Sequence, residues 1–229
     1  MHLTYTRARL GCLLVVAVVL VAATAAASTS EADAPFAMLD ILGGSFEMGD
    51  VDGRPDEAPR PATVTPFRLM LFEVTNAQFA AFVAETGHVT DPERRGFGYV
   101  WPGRWIKVPG ADWRHRSGPA SNPIGLDEHP VVQVSWQDAR AFCRYHGLRL
   151  PSEEEWEFAA RGTDGRIFPW GDVAPDEVGA RRANYGTNKC CAADMTDGYH
   201  ETAPVGSYPA GASPFGLHDM AGNVWEWTS

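Results

Sequence analysis

Asp219 and Glu226 lie close together in the closing segment GLHDMAGNVWEWTS, with Gly222 and Asn223 between them and Trp225 and Trp227 on either side of the second acid. Carboxylates are hard oxygen donors, and a glycine lets the main chain turn tightly enough to bring its carbonyls to the same point. A calcium-like cation takes roughly six to eight such oxygens in tolerant geometry, so this segment has the chemistry of a calcium-binding turn. The two indoles are expected to bury the outer face of the turn. The plainer alternative is an aromatic turn whose two acids stay solvated.

Other chemistries find less support. The chain has no HExxH zinc helix, no GxSxG nucleophile turn, no GxxxxGK[ST] phosphate loop and no CxxC pair. His129, His146, His200 and His218 have no metal-ligand spacing and read as hydrogen-bonded surface or half-buried imidazoles. Cys143 sits in a helical pattern, either as a thiol without an internal partner or as a small buried hydrophobe. Cys190 and Cys191 are adjacent, so their side chains aim apart; a vicinal bridge, free thiols or pairing with Cys143 suits them better than a metal.

The elements that must position the turn announce themselves by their ends. Thr75 with Gln78, Ser135 with Asp138, and Ser152 with Glu155 have capping-box spacing, and glycines follow each helical pattern at Gly87, Gly147 and Gly162. Within each, an apolar stripe (Phe79 and Phe82, Phe142 and Cys143, Trp156 and Ala160) faces a core. Glu153, Glu154 and Glu155 complement the dipole at their helix start. Short strands are expected at 38–42, 45–48, 62–65, 67–71 and 131–135, with loops over 90–122 and 171–214. Twenty-three glycines and 17 prolines in 229 residues, with 45% hydrophobic residues, indicate a folded but heavily punctuated chain. The expectation is a loop-rich α+β single domain with short helices and short antiparallel strands.

Arg7 and Arg9 precede an apolar run from Leu10 to Ala23, and Ala25, Ala26 and Ala27 follow. This reads as a secretory signal peptide over 1–27, then a flexible mature N-terminus over 28–37 and the folded domain over 38–229. Periplasmic or extracellular localisation follows, with no stable membrane span after cleavage. The formal net charge of −10 becomes more negative on losing the two leader arginines. Such a surface disfavours nucleic acid and anionic membranes and favours divalent cations.

Four blocks in order, GGSFEMG (43–49), EVTNAQFAAFV (73–83), EHPVVQVSWQDARAFCRYHG (128–147) and RLPSEEEWEFAARGTDGRIFPWG (149–171), followed by the closing segment, resemble the formylglycine-generating enzyme, or sulfatase-modifying factor, family. The resemblance implies a variant C-type lectin fold and two structural Ca²⁺ sites. One would use Asn184, the Tyr185 carbonyl, Asp197 and the Tyr199 carbonyl; the other would use Asp219, the Gly222 and Val224 carbonyls and Glu226. It also implies oxidation of a cysteine in a sulfatase polypeptide to formylglycine by Cu(I) and O₂ in the complete family domain. Family members continue past the Trp-Glu-Trp block into a segment that carries the two copper-binding cysteines. This chain is therefore expected to be a C-terminally incomplete member without catalytic residues of its own. An exported non-oxidase relative, acting as a calcium-braced binding module or on a small molecule, is the alternative. The CxPxR-type motif of a sulfatase is absent, so the chain resembles the modifier rather than the modified protein.

Overall fold

The computed structural model describes residues 36–51, 53–101, 103–175, 179, 181–186 and 195–229. The leader, the mature N-terminus up to residue 35, and Cys190 and Cys191 lie outside the described residues. Among the described residues no helix is long and apolar enough to cross a membrane.

Regular structure comes in short antiparallel pairs. Strand β1 (Met38–Ile41) pairs with β4 (Phe67–Met70), and β2 (Gly44–Met48) pairs with β3 (Arg60–Val64). A third pair joins β5 (Phe97–Val100) to β6 (Ile106–Pro109). The helices are α1 (Asn76–Thr86), α2 (Asp91–Arg95), α3 (Trp136–Tyr145) and α4 (Glu153–Arg161). The architecture is α+β, as the capping and alternation patterns predict.

The three expected helices start where their capping boxes place them. Thr75, Ser135 and Ser152 each accept a hydrogen bond from the backbone N–H three residues on, and the cap amides donate in turn to the Gln78, Asp138 and Glu155 side-chain oxygens. Each such cap contributes about 1 kcal/mol. Asp138 does more than close its box. It is fully buried and also accepts from the Asp91 amide and from His88 Nε2 at 2.9 Å, tying the start of α2 to the start of α3. Glu155 pairs with Arg149 and Glu154 with Arg60, so two of the three helix-opening acids also make ion pairs.

Two expectations fail. Residues 131–135 form no strand: Pro130 makes only an isolated bridge with Thr75, and Gln133 has φ +58, which turns the chain out of an extended path. The Gln133 side chain instead donates to the Tyr99 and Arg116 carbonyls, bracing the β5–β6 hairpin. The 90–122 stretch is not all loop, since it holds α2, β5 and β6. Helix α3 has His146 at its C-cap, and the expected Gly147 follows directly in left-handed backbone at φ +70°.

Packing falls into two apolar clusters. Ile41, Phe46, Val64, Phe158, Leu217 and Met220 form one, pressing α4 against the β2–β3 pair. Phe36, Phe79, Phe82, Trp113 and Phe142 form the other, between α1 and α3. Leu217 and Met220, both in the first cluster, flank Asp219 in sequence, so the core itself anchors the acid-bearing turn.

Candidate cation-binding site

The closing turn is wound by backbone rather than by regular structure. Asp219, Gly222 and Asn223 have φ values of +56°, +97° and +56°. Glycine is required at 222 on two counts: its left-handed φ, and a position where a Cβ would lie 2.5 Å from the Asn184 carbonyl oxygen. The turn therefore sits directly on the Asn184 backbone, and the Asn223 amide donates to that same carbonyl at 2.9 Å.

Both acids of the turn are held by N–H donors. Asp219 Oδ2 accepts from the Gly206 amide at 2.6 Å, and Glu226 Oε2 accepts from the Trp156 indole at 3.1 Å. Indoles also fasten the main chain around Glu226: Trp136 Nε1 donates to the Thr228 carbonyl and Trp227 Nε1 to the Val134 carbonyl. This corrects the expected role of the Trp-Glu-Trp pair. Trp225 is 93% exposed and Trp227 49%, so neither buries the turn; Trp136 and Trp156, from α3 and α4, hold it.

A third acid joins them that sequence spacing does not reveal. Glu73, in the link between β4 and α1, has its Oε2 2.7 Å from Asn223 Nδ2, while its buried Oε1 has no hydrogen-bond partner. Burial, then the charges of Glu226 and Asp219, push the Glu73 carboxyl up to about 9. Glu226 has exposed surface as a residue, yet its carboxyl end is enclosed by protein, and burial, with Asp219 adding, pushes it up to about 7. Asp219 is raised by burial. Glu73 and Asp219 are half-buried, which counts against the plain aromatic-turn alternative for Asp219, while Glu226 keeps exposed surface.

The four residues of the other expected site are also brought together. Asp197 accepts from the Tyr185 amide at 2.9 Å and the Tyr199 amide at 3.1 Å, and Tyr208 Oη donates to the Asp197 carbonyl. Asn184 is buried beside them and donates through Nδ2 to the Glu201 carbonyl at 2.7 Å. Among the described residues no three His, Cys, Asp or Glu side chains close on one point. A cation at either place would thus need main-chain carbonyls as well as side chains. That requirement suits calcium, whose shell readily mixes the two, and not a metal that takes nitrogen and sulfur.

The sulfatase-modifying factor enzyme 1-like domain model matches residues 23–229. The chain belongs to this family. Its similarity to an inactive Cα-formylglycine-generating enzyme 2 of Bos taurus is 40% identity over 84% of this chain and 70% of that protein. It is 41% identical to a formylglycine-generating enzyme of Thermomonospora curvata over 83% of this chain and 70% of the relative. Among solved structures, CarF matches at a TM-score of 0.52 and 25% identity, over 85% of this chain and 80% of CarF.

For a sulfatase-modifying-factor family member the copper question turns on thiols. Cys143 is the free cysteine among the described residues, half-buried on α3 at the margin of the second core cluster. Burial pushes its thiol up, the reverse of what a thiolate ligand needs. One protonated thiol does not fit Cu(I), and no step is derived through copper. With Cys190 and Cys191 replaced by serine, Cys143 in native protein is expected to react with a thiol reagent at pH 8 more slowly than free cysteine. Its rate should keep rising at pH values where free cysteine has levelled off; reaction as fast as free cysteine would mean that helix α3 leaves the thiol open.

The histidines divide. His129 Nδ1 lies 2.9 Å from Thr202 Oγ1, as expected for a hydrogen-bonded imidazole. His146 Nε2 and His218 Nδ1 are buried without a partner, His146 being boxed by Phe36, Phe142 and Tyr145.

Proposed function

We propose that this chain supplies the calcium-braced body of an exported formylglycine-generating oxidase acting on a sulfatase polypeptide, and that these 229 residues alone do not carry out the oxidation. The observation that carries the first half is the placing of Asp219 and Glu226 in one turn built from left-handed backbone, with Glu73 held to that turn through Asn223, in a chain of this family. A divalent cation bound there would supply charge balance and a cross-link, not redox chemistry. Asp219, Glu226 and Glu73 would hold it, with the Gly222 and Val224 carbonyls; Asn184, Asp197 and the Tyr185 and Tyr199 carbonyls would hold a second.

The residues divide the work. Trp136 and Trp156 fix the carboxylate-bearing tail against α3 and α4. Asn184 and Asp197 help to order the long segment between α4 and the turn, whose described residues hold almost no regular structure and would otherwise cost much conformational entropy to fix. A loop-dominated scaffold tied by ions suits a variant C-type lectin fold.

The second half rests on the thiols. Cys143 stands alone among the described residues and is held protonated, so the described residues offer no pair of soft ligands. Incubation of the 229-residue protein with Cu(I), O₂ and a cysteine-bearing sulfatase peptide is expected to yield no formylglycine by mass spectrometry. Turnover would overturn this half and direct attention to Cys190 and Cys191.

Relatives named as inactive favour a second reading, an exported non-oxidase that keeps the ion-braced scaffold for binding. Capture of a sulfatase peptide without its oxidation, by a longer form of the protein, would select it. Export itself would be shown by a secreted product whose N-terminus is Ser28.

A further inference from the structure

Asn223 lies between the two candidate cation sites and touches both. Its Oδ1 accepts from Asn184 Nδ2 at 3.1 Å and from the Ala203 amide at 2.9 Å. Its Nδ2 donates to Glu73 Oε2 at 2.7 Å and to the Ala203 carbonyl at 3.3 Å. All four hydrogen-bonding positions of one side-chain amide are used, so its orientation is fixed from both ends. Asn184 in turn gives both of its amide protons away, to Asn223 Oδ1 and to the Glu201 carbonyl, which leaves its own oxygen as the acceptor for an ion. The main chains are joined too, through the Asn223 amide on the Asn184 carbonyl. Two hydrogen bonds thus connect a carboxylate at one site to an amide ligand at the other.

We propose that Asn223 couples the two sites, so that filling either one raises the affinity of the other. The inference rests on the calcium reading of both sites. An ion held through Asn184 at the first site stiffens the Asn223 amide bonded to it, and with it Glu73 at the second, so the entropy of stiffening the shared amide is spent once rather than twice. Repulsion between two cations opposes the effect, and the shared, fully bonded amide is what outweighs it. Neither Asn184 nor Asn223 can turn without breaking bonds at both sites, so the pair has one arrangement compatible with two filled shells. Asn223 is a positioning residue here and touches no reacting group.

The test is calorimetric titration of EDTA-stripped protein with calcium, for wild type, Asp197→Asn, Asn223→Gly and the double variant. Glycine at 223 keeps the left-handed backbone and removes only the amide. Wild type is expected to take up two ions, and Asp197→Asn to take up one with roughly fivefold or more weaker affinity than that site shows in wild type. In the Asn223→Gly background, Asp197→Asn should leave the affinity of the remaining site unchanged. If Asn223→Gly does not fold by circular dichroism, Asn223→Asp replaces it, since Asp tolerates the same backbone and has no N–H for Glu73. Equal affinity of the remaining site with and without Asp197 in wild type would overturn the coupling while leaving both sites standing. A fivefold effect that survives in the Asn223 variant would overturn the role of Asn223. No calcium uptake by wild type would overturn the calcium reading, and the coupling with it.

Discussion

Chelating calcium from the folded protein is expected to lower its melting temperature by roughly 5–10 °C. An ion present at about 100 times its dissociation constant stabilises the native state by ~2.7 kcal/mol, and for a domain of this size each kcal/mol moves the melting temperature by ~2–4 °C. The effect should be large because the segment being braced has little regular structure among its described residues. Between Arg161 and the closing turn, the described chain has one three-residue 3-10 turn, Pro209–Gly211, and two isolated bridge residues, Phe168 and Gly171. Side-chain bonds to Asp197, Asn184 and Asn223, the residues at the candidate ion positions, are among those that order it. Differential scanning fluorimetry in calcium and in EDTA reads the result directly, and magnesium should restore little of the loss, since it demands stricter octahedral geometry and keeps its waters. Identical melting in calcium and EDTA would mean that hydrogen bonds alone close these turns.

The second large effect concerns Glu73. Glu73→Gln is expected to leave the calcium-free melting temperature within ~2 °C of wild type while cutting the calcium-dependent rise by half or more. The calcium-free comparison follows from the protonation state: burial and the neighbouring acids push the Glu73 carboxyl up to about 9, so near pH 7 it is already neutral, and glutamine reproduces its shape and its acceptor for Asn223. The loss of response follows from removing an anionic oxygen from the shell. Loss of a group that supports a metal typically costs about 10–100-fold in affinity. At fixed calcium this brings a ~2.7 kcal/mol stabilisation down to ~0.4–1.4 kcal/mol. A variant that responds to calcium like wild type would place Glu73 outside the shell, and one that unfolds without calcium would make its role purely structural.

Glu73 also shows where sequence reading stopped. It lies 150 positions from Asn223, and no spacing rule joins residues so far apart. The available signal was compositional: a single acid between Phe72 and Val74, in an apolar stretch where a charge has to be explained. Asp219 and Glu226 were legible because they share one turn with its glycine, and local rules describe turns well. For the same reason the helices at Thr75, Ser135 and Ser152 were placed to within a residue, since a capping box is a contact between positions three apart. Helix α2 carries the same signature, Thr90 with Glu93, but spans only Asp91–Arg95 in a stretch full of turn residues, too short for an apolar stripe to mark it. The error at 131–135 has a different source. Its β-branched alternation is real, but strand formation needs a partner edge, and Gln133 spends its side chain bracing a hairpin that residues 90–122 were not expected to contain.

The Trp-Glu-Trp block is instructive in the same way. Composition suggests that the indoles flanking an acid should shield it, yet shielding depends on which side of the chain faces the protein. The tail runs along the starts of α3 and α4, and the Ser229 amide donates to the Pro151 carbonyl there. That path puts Trp225 outward and hands the donor role to Trp156, from another block of the sequence. Composition correctly identified a place rich in tryptophan but not which tryptophan would act.

The central claim is that carboxylates and carbonyls of the closing turn surround a calcium ion. Crystals grown in calcium, with anomalous difference data, test it most directly. The account predicts a peak with Glu226, Asp219 and the Gly222 and Val224 carbonyls at about 2.3–2.6 Å, completed by Glu73 or by water to roughly six to eight oxygens. A turn of the same shape with no peak, Glu73 bonded to Asn223 and Glu226 bonded only to Trp156, would contradict it.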